Sequence, residues 1–483
     1  VIHLRAIGYV LGQFLVVFAA TMLAPLLYGY LTDGLQLEAL YYPLLITAAC
    51  GGALVLRSPR PERELTQREG LLLAVAIWMA VAMFGSLPFI FSPGFPTVTD
   101  AVFESVSGFT TTGATVLKDV EILSTGVQFW RCLSHWLGGL GILLLVIAVL
   151  PLIGHGGMRL YRAEFSGATS EKLKPRITET ALALWRIYFA LTAVTYLSLR
   201  LAGMNNFDAL CHSLSAVGTG GFSTRTASIA AFESPLIEYI LIVAMALGGV
   251  SFIQQYRLWM EWRPAGVLRD IEIRYYLLLI LVATAIIAAV LIGQQGYALE
   301  PGLRAALFQV VAITTTTGFA SDNFEVWLPL PQLLLLALMF VGGCTGSTAG
   351  GLKVSRILLL ARVVDREFKR MVERRGVFAV RLGGEVIPET TVQSLLNLIY
   401  LAFVVNFFSC LALAGLGVDV LTSISAVAGT MFNVGPGLGS VGPAESYGHL
   451  PALAKWVLCF DMIAGRLEFY TVIVILTPAF WRK

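Results

Sequence analysis

The sequence predicts an all-α, polytopic membrane protein, and three observations carry that expectation. Of 483 residues, 57% are hydrophobic and only 13% charged, about half the charged share of an average soluble domain. The mean hydropathy is +0.79, more apolar surface than a soluble fold of this length hides. Apolar runs of about 20 residues, the length that crosses a bilayer as a helix, recur along the chain. The net charge of +3 is near balance and gives no reason to expect nucleic-acid binding.

Spans are expected near 6–30, 37–56, 70–91, 125–150, 181–202, 234–257, 273–293, 331–362, 391–415 and 451–480. The first, from Ile7 to Tyr30, exceeds the roughly 7–15 apolar residues of a cleavable signal peptide. The eighth is interrupted by "GGCTGSTAGG" (342–351), which cannot continue as regular helix through lipid. Arg5, the segments 57–70, 154–176, 257–274 and 353–381, and the C-terminal "WRK" hold 25 of the 33 Lys and Arg. Alternation of ten spans puts all of these on one side. The excess of basic residues on cytoplasmic loops then predicts that both termini are cytoplasmic.

The opposite side receives the connections 31–36, 92–124, 203–233, 294–330 and 416–450. Four of these five contain a Gly-centred stretch without charge: "TTTGAT" (110–115), "GTGGFS" (218–223), "TTTTGFAS" (314–321) and "NVGPGLGS" (433–440). The central glycines, Gly113, Gly221, Gly318 and Gly435, are 108, 97 and 117 residues apart. Each follows a short amphiphilic segment of about three turns with an opener at Asp100, Asp208, Pro301 or Asp419, residue types that start helices. The expected architecture is therefore two leading helices (1–66) and four units of helix, short re-entrant helix, Gly loop and helix, arranged about one pseudo-fourfold pore. The units run 67–176, 177–270, 271–385 and 386–483, the third with a broken second helix.

Non-helical backbone survives in a membrane only when buried in protein or lining a watery cavity. Four such loops at equivalent places can meet on one axis, where a ring of carbonyls replaces the water shell of a monovalent cation. Glycine permits the positive φ that turns successive carbonyls the same way, and the short helices aim their partly negative C-terminal ends at that axis. The candidate ring residues are Thr111, Thr112 and Gly113; Gly220 and Gly221; Thr317 and Gly318; Asn433, Val434 and Gly435. Asp322 and Glu325 read as part of a cation-attracting mouth, and Glu104 as a structural or mouth residue.

The 342–351 break suits a gate below that ring, or a static packing kink, formed by Gly342, Gly343, Thr345, Gly346, Ser347, Thr348, Gly350 and Gly351. Its residues are small, and Gly-rich backbone moves at low cost. Arg466 lies deep in the last span, too far from water to snorkel. It is expected to project into the path below the ring or to bond carbonyls of the break.

Other motifs carry less. In "GCTGSTAGGLK", Leu352 separates Gly351 from Lys353, which fails the phosphate-loop pattern. "GPGLGS" lacks the following βα unit of a dinucleotide fold. The six cysteines (50, 132, 211, 344, 410, 459) are scattered and read as small apolar residues. The five histidines form no ligand cluster, and no nucleophile–base pair or paired carboxylates suggest an enzyme. The basic segment 353–381 reads as a solvated helix end or as a docking surface for a cytoplasmic partner or anionic headgroups.

The order "TTTGAT … GTGGFST … TTTTGF … NVGPGLG", the break "GGCTGSTAGGLKVSR" and the ending "AGRLEFYTVIVILTPAFWR" resemble the Trk/Ktr/HKT superfamily of potassium transporters, above all its bacterial TrkH-type membrane subunits. The resemblance spans nearly the whole chain. It implies that Gly113, Gly221, Gly318 and Gly435 are the selectivity determinants, with K+ as the substrate ion and no covalently bound cofactor. Glycine at 113, where sodium-permeable plant members carry serine, points to potassium. The resemblance further implies a bacterial inner-membrane homodimer with one pore per protomer. It also implies gating by the 342–351 loop and by cytoplasmic, nucleotide-binding TrkA-type subunits. Symport of K+ with H+ or Na+ stays open as an alternative. The repeats all start and end on the same side, however, and this parallel orientation favours a fixed axial pore over the inverted repeats of many symporters.

Overall fold

The computed structural model describes residues 2–60, 65–141, 177–262 and 264–482. The leading helices are Leu4–Thr21, continued at a slight break by Leu23–Thr32, and Glu38–Arg57. They cross at two glycines. A Cβ on Gly12 would lie 2.8 Å from the Gly51 carbonyl oxygen, and one on Gly51 would lie 2.8 Å from that of Gly12. Lipid supplies no hydrophobic drive between helices, so such close backbone packing is what holds them.

Four units follow. The first comprises Gln67–Gly85, the short helix Val98–Phe109 and Thr125–Gly139. In the second these are Ile177–Leu201, Asn206–Val217 and Pro235–Gly248. The third has Ile271–Gln294, Leu299–Thr314 and Pro329–Val341, and the fourth Glu389–Gly415, Val420–Met431 and Ala452–Arg466. Local chemistry sets the starts. Thr66 and Glu69 cap each other's backbone at the head of the first unit, satisfying two of the amides a helix leaves open there. Thr97, Asn205 and Asp419 accept the amides of Asp100, Asp208 and Thr422 at the heads of three short helices. Of the expected openers, Asp419 is therefore the cap itself. Asp100 and Asp208 lie three residues inside, and Pro301 falls within the first turn of Leu299–Thr314.

Two expected spans are not continuous. The 234–257 run bends by 106° between Pro235–Gly248 and Phe252–Trp259. The carbonyls freed there are used elsewhere: Gly248 O accepts from Thr348 N and Oγ1, and Gly249 O from Cys344 N. The 451–480 run breaks after Arg466, where Glu468 and Phe469 both take positive φ, 55° and 53°, before Tyr470–Leu476 resumes. Just before the break the backbones approach closely, and a Cβ on Gly465 would stand 1.7 Å from Met431 O. The 331–362 run is broken as expected, and Val354–Val372 continues beyond it. The basic segment then closes in a two-residue antiparallel pair, Arg381–Leu382 with Glu385–Val386, a small exception to the all-helical expectation. The basic 154–176 connection and the far end of the 125–150 span lie outside the described residues.

Candidate functional site

The four Gly stretches meet. A Cβ on Gly113 would lie 2.1 Å from Gly220 O, one on Gly221 2.0 Å from Thr317 O, one on Gly318 2.1 Å from Val434 O, and one on Gly435 2.4 Å from Thr112 O. Each glycine thus touches the carbonyl of the residue just before the equivalent glycine in the next unit. The fourth touches the first, and the ring is closed. A side chain at any of the four positions would collide with backbone.

The strands share one backbone form. Positive φ occurs at Thr111 and Gly113, Thr219 and Gly221, Thr316 and Gly318, and Asn433 and Gly435. The residue between each pair is Thr112, Gly220, Thr317 or Val434, whose φ is ordinary. This alternation turns successive carbonyls one way, the arrangement that replaces a cation's water shell. Four non-glycine residues hold a left-handed conformation that costs about 1–2 kcal/mol each, strain of the kind that accumulates at functional sites. The short helices lock it. The amides of Thr112, Gly220, Thr317 and Val434 each donate to the carbonyl five residues back, at 2.9, 2.9, 2.8 and 2.7 Å. Beneath the carbonyls, Thr112 Oγ1 lies 2.7 Å from Thr110 Oγ1 and accepts from Asn433 Nδ2 at 3.0 Å, while Thr317 Oγ1 lies 2.7 Å from Thr315 Oγ1.

The 342–353 loop packs against one side of this ring. Its neck is closed by glycine on glycine, since a Cβ on Gly342 would meet Gly350 O at 2.3 Å and one on Gly351 would meet Gly342 Cα at 2.5 Å. Gly350 N donates to Thr316 Oγ1 at 2.6 Å and Gly351 N to Phe432 O at 3.1 Å, tying the loop to the third and fourth strands. Thr348 Oγ1 donates to Val217 O and Gly248 O in the second unit, and Phe252 N to Gly346 O. Ser347 Oγ turns back to Cys344 O, and Gly343 packs on Ala349. Glu272 anchors the far end: its Oε1 accepts from Thr345 N, Thr345 Oγ1 and Ser355 N at 2.7, 3.1 and 3.1 Å.

Arg466 joins ring and loop. One guanidinium nitrogen donates to Thr111 Oγ1 at 3.2 Å and Thr348 O at 3.0 Å, the other to Gly138 O and Gly139 O at 2.6 and 2.9 Å. The last two are end carbonyls of the Thr125–Gly139 helix, where the helix dipole favours a cation. The expected contact with carbonyls of the break is present at Thr348. Arg466 ends its helix at the 467–469 break and is not the middle of a continuous span. Asp461 and Glu468 bond elsewhere, to Ser409 Oγ and Arg356.

On the opposite side of the ring lies an open cavity of about 410 Å3, floored by Gly113, Gly221 and Gly318 and flanked by Lys118, Arg225 and Glu445. Asp322 and Glu325 do not line it. The Asp322 carboxylate instead accepts from Tyr297 and Trp327. Glu104 is buried and paired with Arg131 at 2.8 Å. It also accepts from Thr115 Oγ1 and Val116 N, bracing the exit of the first strand.

Thus the structure brings together Thr111, Thr112, Gly113, Gly220, Gly221, Thr317, Gly318, Asn433, Val434 and Gly435, with the loop and Arg466 against them. Sequence reasoning missed Thr219, Thr316, Phe432, Glu272 and Arg131. The first three follow from aligning the four stretches residue by residue. Glu272 and Arg131 carry no local signal beyond a charge beside or inside an apolar segment.

Known proteins resemble this chain over its length. A family model described as TrkH, cation transport protein, matches residues 39–483. The chain is 43% identical to the Trk system potassium uptake protein TrkH of Halomonas elongata, over 99% of this chain and 100% of that one. It is 39% identical to the protein of the same name from Escherichia coli K12, over 100% of both. The crystal structure of the potassium transporter TrkH from Vibrio parahaemolyticus superimposes with a TM-score of 0.89 at 36% identity, covering 100% of each chain. With the family model, full-length relatives and a full-length structural match in agreement, the chain belongs to the TrkH family of cation transport proteins.

Proposed function

We propose that this chain is the membrane subunit of a bacterial potassium-uptake system and that K+ passes through the ring at Gly113, Gly221, Gly318 and Gly435. The observation that carries the reading is the closed ring itself, four strands of one backbone form, each glycine against the next unit's carbonyl. Backbone dipoles, without charged side chains in the strands, then coordinate the dehydrated ion and provide selectivity. The full-length relatives named as potassium uptake proteins support the same ion.

The 342–353 loop and Arg466 form the gate. The loop is held against the ring by a few hydrogen bonds, and the guanidinium adds a positive barrier beneath the ion path. The protein sits in the inner membrane as a homodimer, with both termini and the basic 353–381 segment in the cytoplasm. TrkA-type nucleotide-binding subunits dock there and move the loop.

The test is K+ and Na+ flux into vesicles holding the purified protein, with pH clamped on both sides. A pore lets K+ follow its own gradient. A strict requirement for Na+ or a proton gradient overturns the pore reading in favour of symport, and equal K+ and Na+ flux overturns the assignment of the ring as a selectivity filter.

A further inference from the structure

At the ring position just before each central glycine, three strands carry a side chain and one does not: Thr112, Gly220, Thr317 and Val434. In the second strand the missing volume is filled from another unit. A Cβ on Gly220 would lie 2.3 Å from both Cγ and Nδ1 of His135, a residue of the Thr125–Gly139 helix in the first unit. The His135 ring is fully buried. It lies nearly parallel to the Phe222 ring with centroids 4.1 Å apart, and its Nδ1 accepts the Phe222 amide at 3.2 Å. Ser215 Oγ of the second short helix is 3.4 Å from the same nitrogen.

The same helix holds the strand at its next residues. Arg131, one turn earlier, places its guanidinium carbon 4.0 Å from the Phe222 ring centroid and donates to Ser223 O at 3.2 Å. Cys132 Sγ lies 3.8 Å from Phe222 O. The second strand, the one with least side chain of its own, is thus gripped by one turn and a quarter of a neighbouring helix. An amide N–H needs a lone pair to donate to, so Nδ1 carries no proton and the neutral ring carries it on Nε2.

We infer that His135 is a positioning residue for ion discrimination. Its neutral imidazole stands in for the side chain that Gly220 lacks and fixes the direction of the Gly220 and Gly221 carbonyls. The inference rests on the proposed function, since it assigns to His135 part of the ring's preference for K+ over Na+. The residue acts through backbone and does not touch the ion.

The test compares the K+/Na+ permeability ratio of the parent and four variants in vesicles, beside thermal unfolding of each. His135→Ala lowers the ratio about tenfold, the scale of one aligned hydrogen bond and its packing. His135→Asn keeps an acceptor near the Nδ1 position and retains more of the ratio. Gly220→Thr alone drives its Cβ into the imidazole and lowers the ratio. The double variant His135→Ala/Gly220→Thr supplies the side chain the first and third strands already use and brings the ratio back towards the parent. That is feasible because Gly220 does not have positive φ.

A parental ratio in His135→Ala overturns the inference, as does a double variant no better than the worse single one. If His135→Ala does not assemble, the ratio of the double variant decides. If neither assembles, His135 serves folding and the inference falls. A parent that passes no K+ overturns the proposed function and leaves the ratio test without its reference, so the two failures are distinct.

Discussion

Replacing Gly113 by serine puts a side chain where two strands touch. The new Cβ would stand 2.1 Å from Gly220 O, against about 3.3–3.6 Å for an ordinary carbon–oxygen contact. The first and second strands must therefore part by roughly 1 Å, twice the tolerance of about 0.5 Å within which a binding constellation stays productive. The φ of 79° at this residue adds about 1–2 kcal/mol once a Cβ is present, and forced packing adds about 1–3 kcal/mol. A control separates the two effects. Gly203 has φ 97° and, among the described residues, no heavy atom within 4 Å of the position of a Cβ, so Gly203→Ser carries the conformational cost alone. In vesicle flux, Gly113→Ser lowers K+ over Na+ preference about tenfold or more, the equivalent of ~1.4 kcal/mol lost at one of four strands. Gly203→Ser lowers the unfolding temperature and leaves the preference unchanged. An unchanged preference in Gly113→Ser, with the protein assembled, refutes the ring as the seat of selectivity.

Three further outcomes follow from the same geometry. Arg466→Ala removes one charged hydrogen bond to the loop at Thr348, about 1.5–3 kcal/mol, and raises K+ leak without the regulatory partner by about tenfold or more, while Arg466→Lys raises it less; reduced flux with lost thermal stability marks a purely structural role. Glu272→Ala leaves the half-buried Thr345 and Ser355 amides without their acceptor and increases the same leak, whereas Glu272→Gln keeps Oε1 and stays near the parent; equal flux in the two variants counts against Glu272 as the loop's anchor. Glu104→Gln strands the buried Arg131 and costs about 3–5 kcal/mol, read as a large fall in unfolding temperature, while the apolar double replacement Glu104→Leu/Arg131→Met loses less.

Much of this was legible because repetition is a strong signal. One Gly-Thr loop says little, but four at equivalent places after four short helices specify a ring, and the structure closes it at the expected glycines. The 342–351 break was equally plain, since five glycines in ten residues cannot form a stable helix in lipid. The breaks at 249–251 and 467–469 were hidden for different reasons. "GGVS" inside a long apolar run reads as tolerated small residues, and its freed carbonyls find their donors on a loop about 100 residues away. "LEF" has no glycine or proline at all to mark its two left-handed residues. The acids at the mouth were misplaced because sequence gives proximity along the chain only. Asp322 follows the third strand closely, yet its carboxylate turns back to Tyr297 and Trp327. His135 was invisible for the same reason, since what it touches belongs to the next unit, and Arg131 because it bridges Glu104 of its own unit to Ser223 of the next.

The four strands belong to one polypeptide, and that changes how the pathway responds to a single nucleotide change. In an assembly of four identical chains, one substitution would alter every strand at once, and intermediate forms would not exist. Here Thr112, Gly220, Thr317 and Val434 occupy one structural position with three different residue types, so inheritance acts on each quarter of the ring separately. A lineage can adjust discrimination in steps a fourth of the size, and a neighbouring helix can make good what one strand has lost before the next changes.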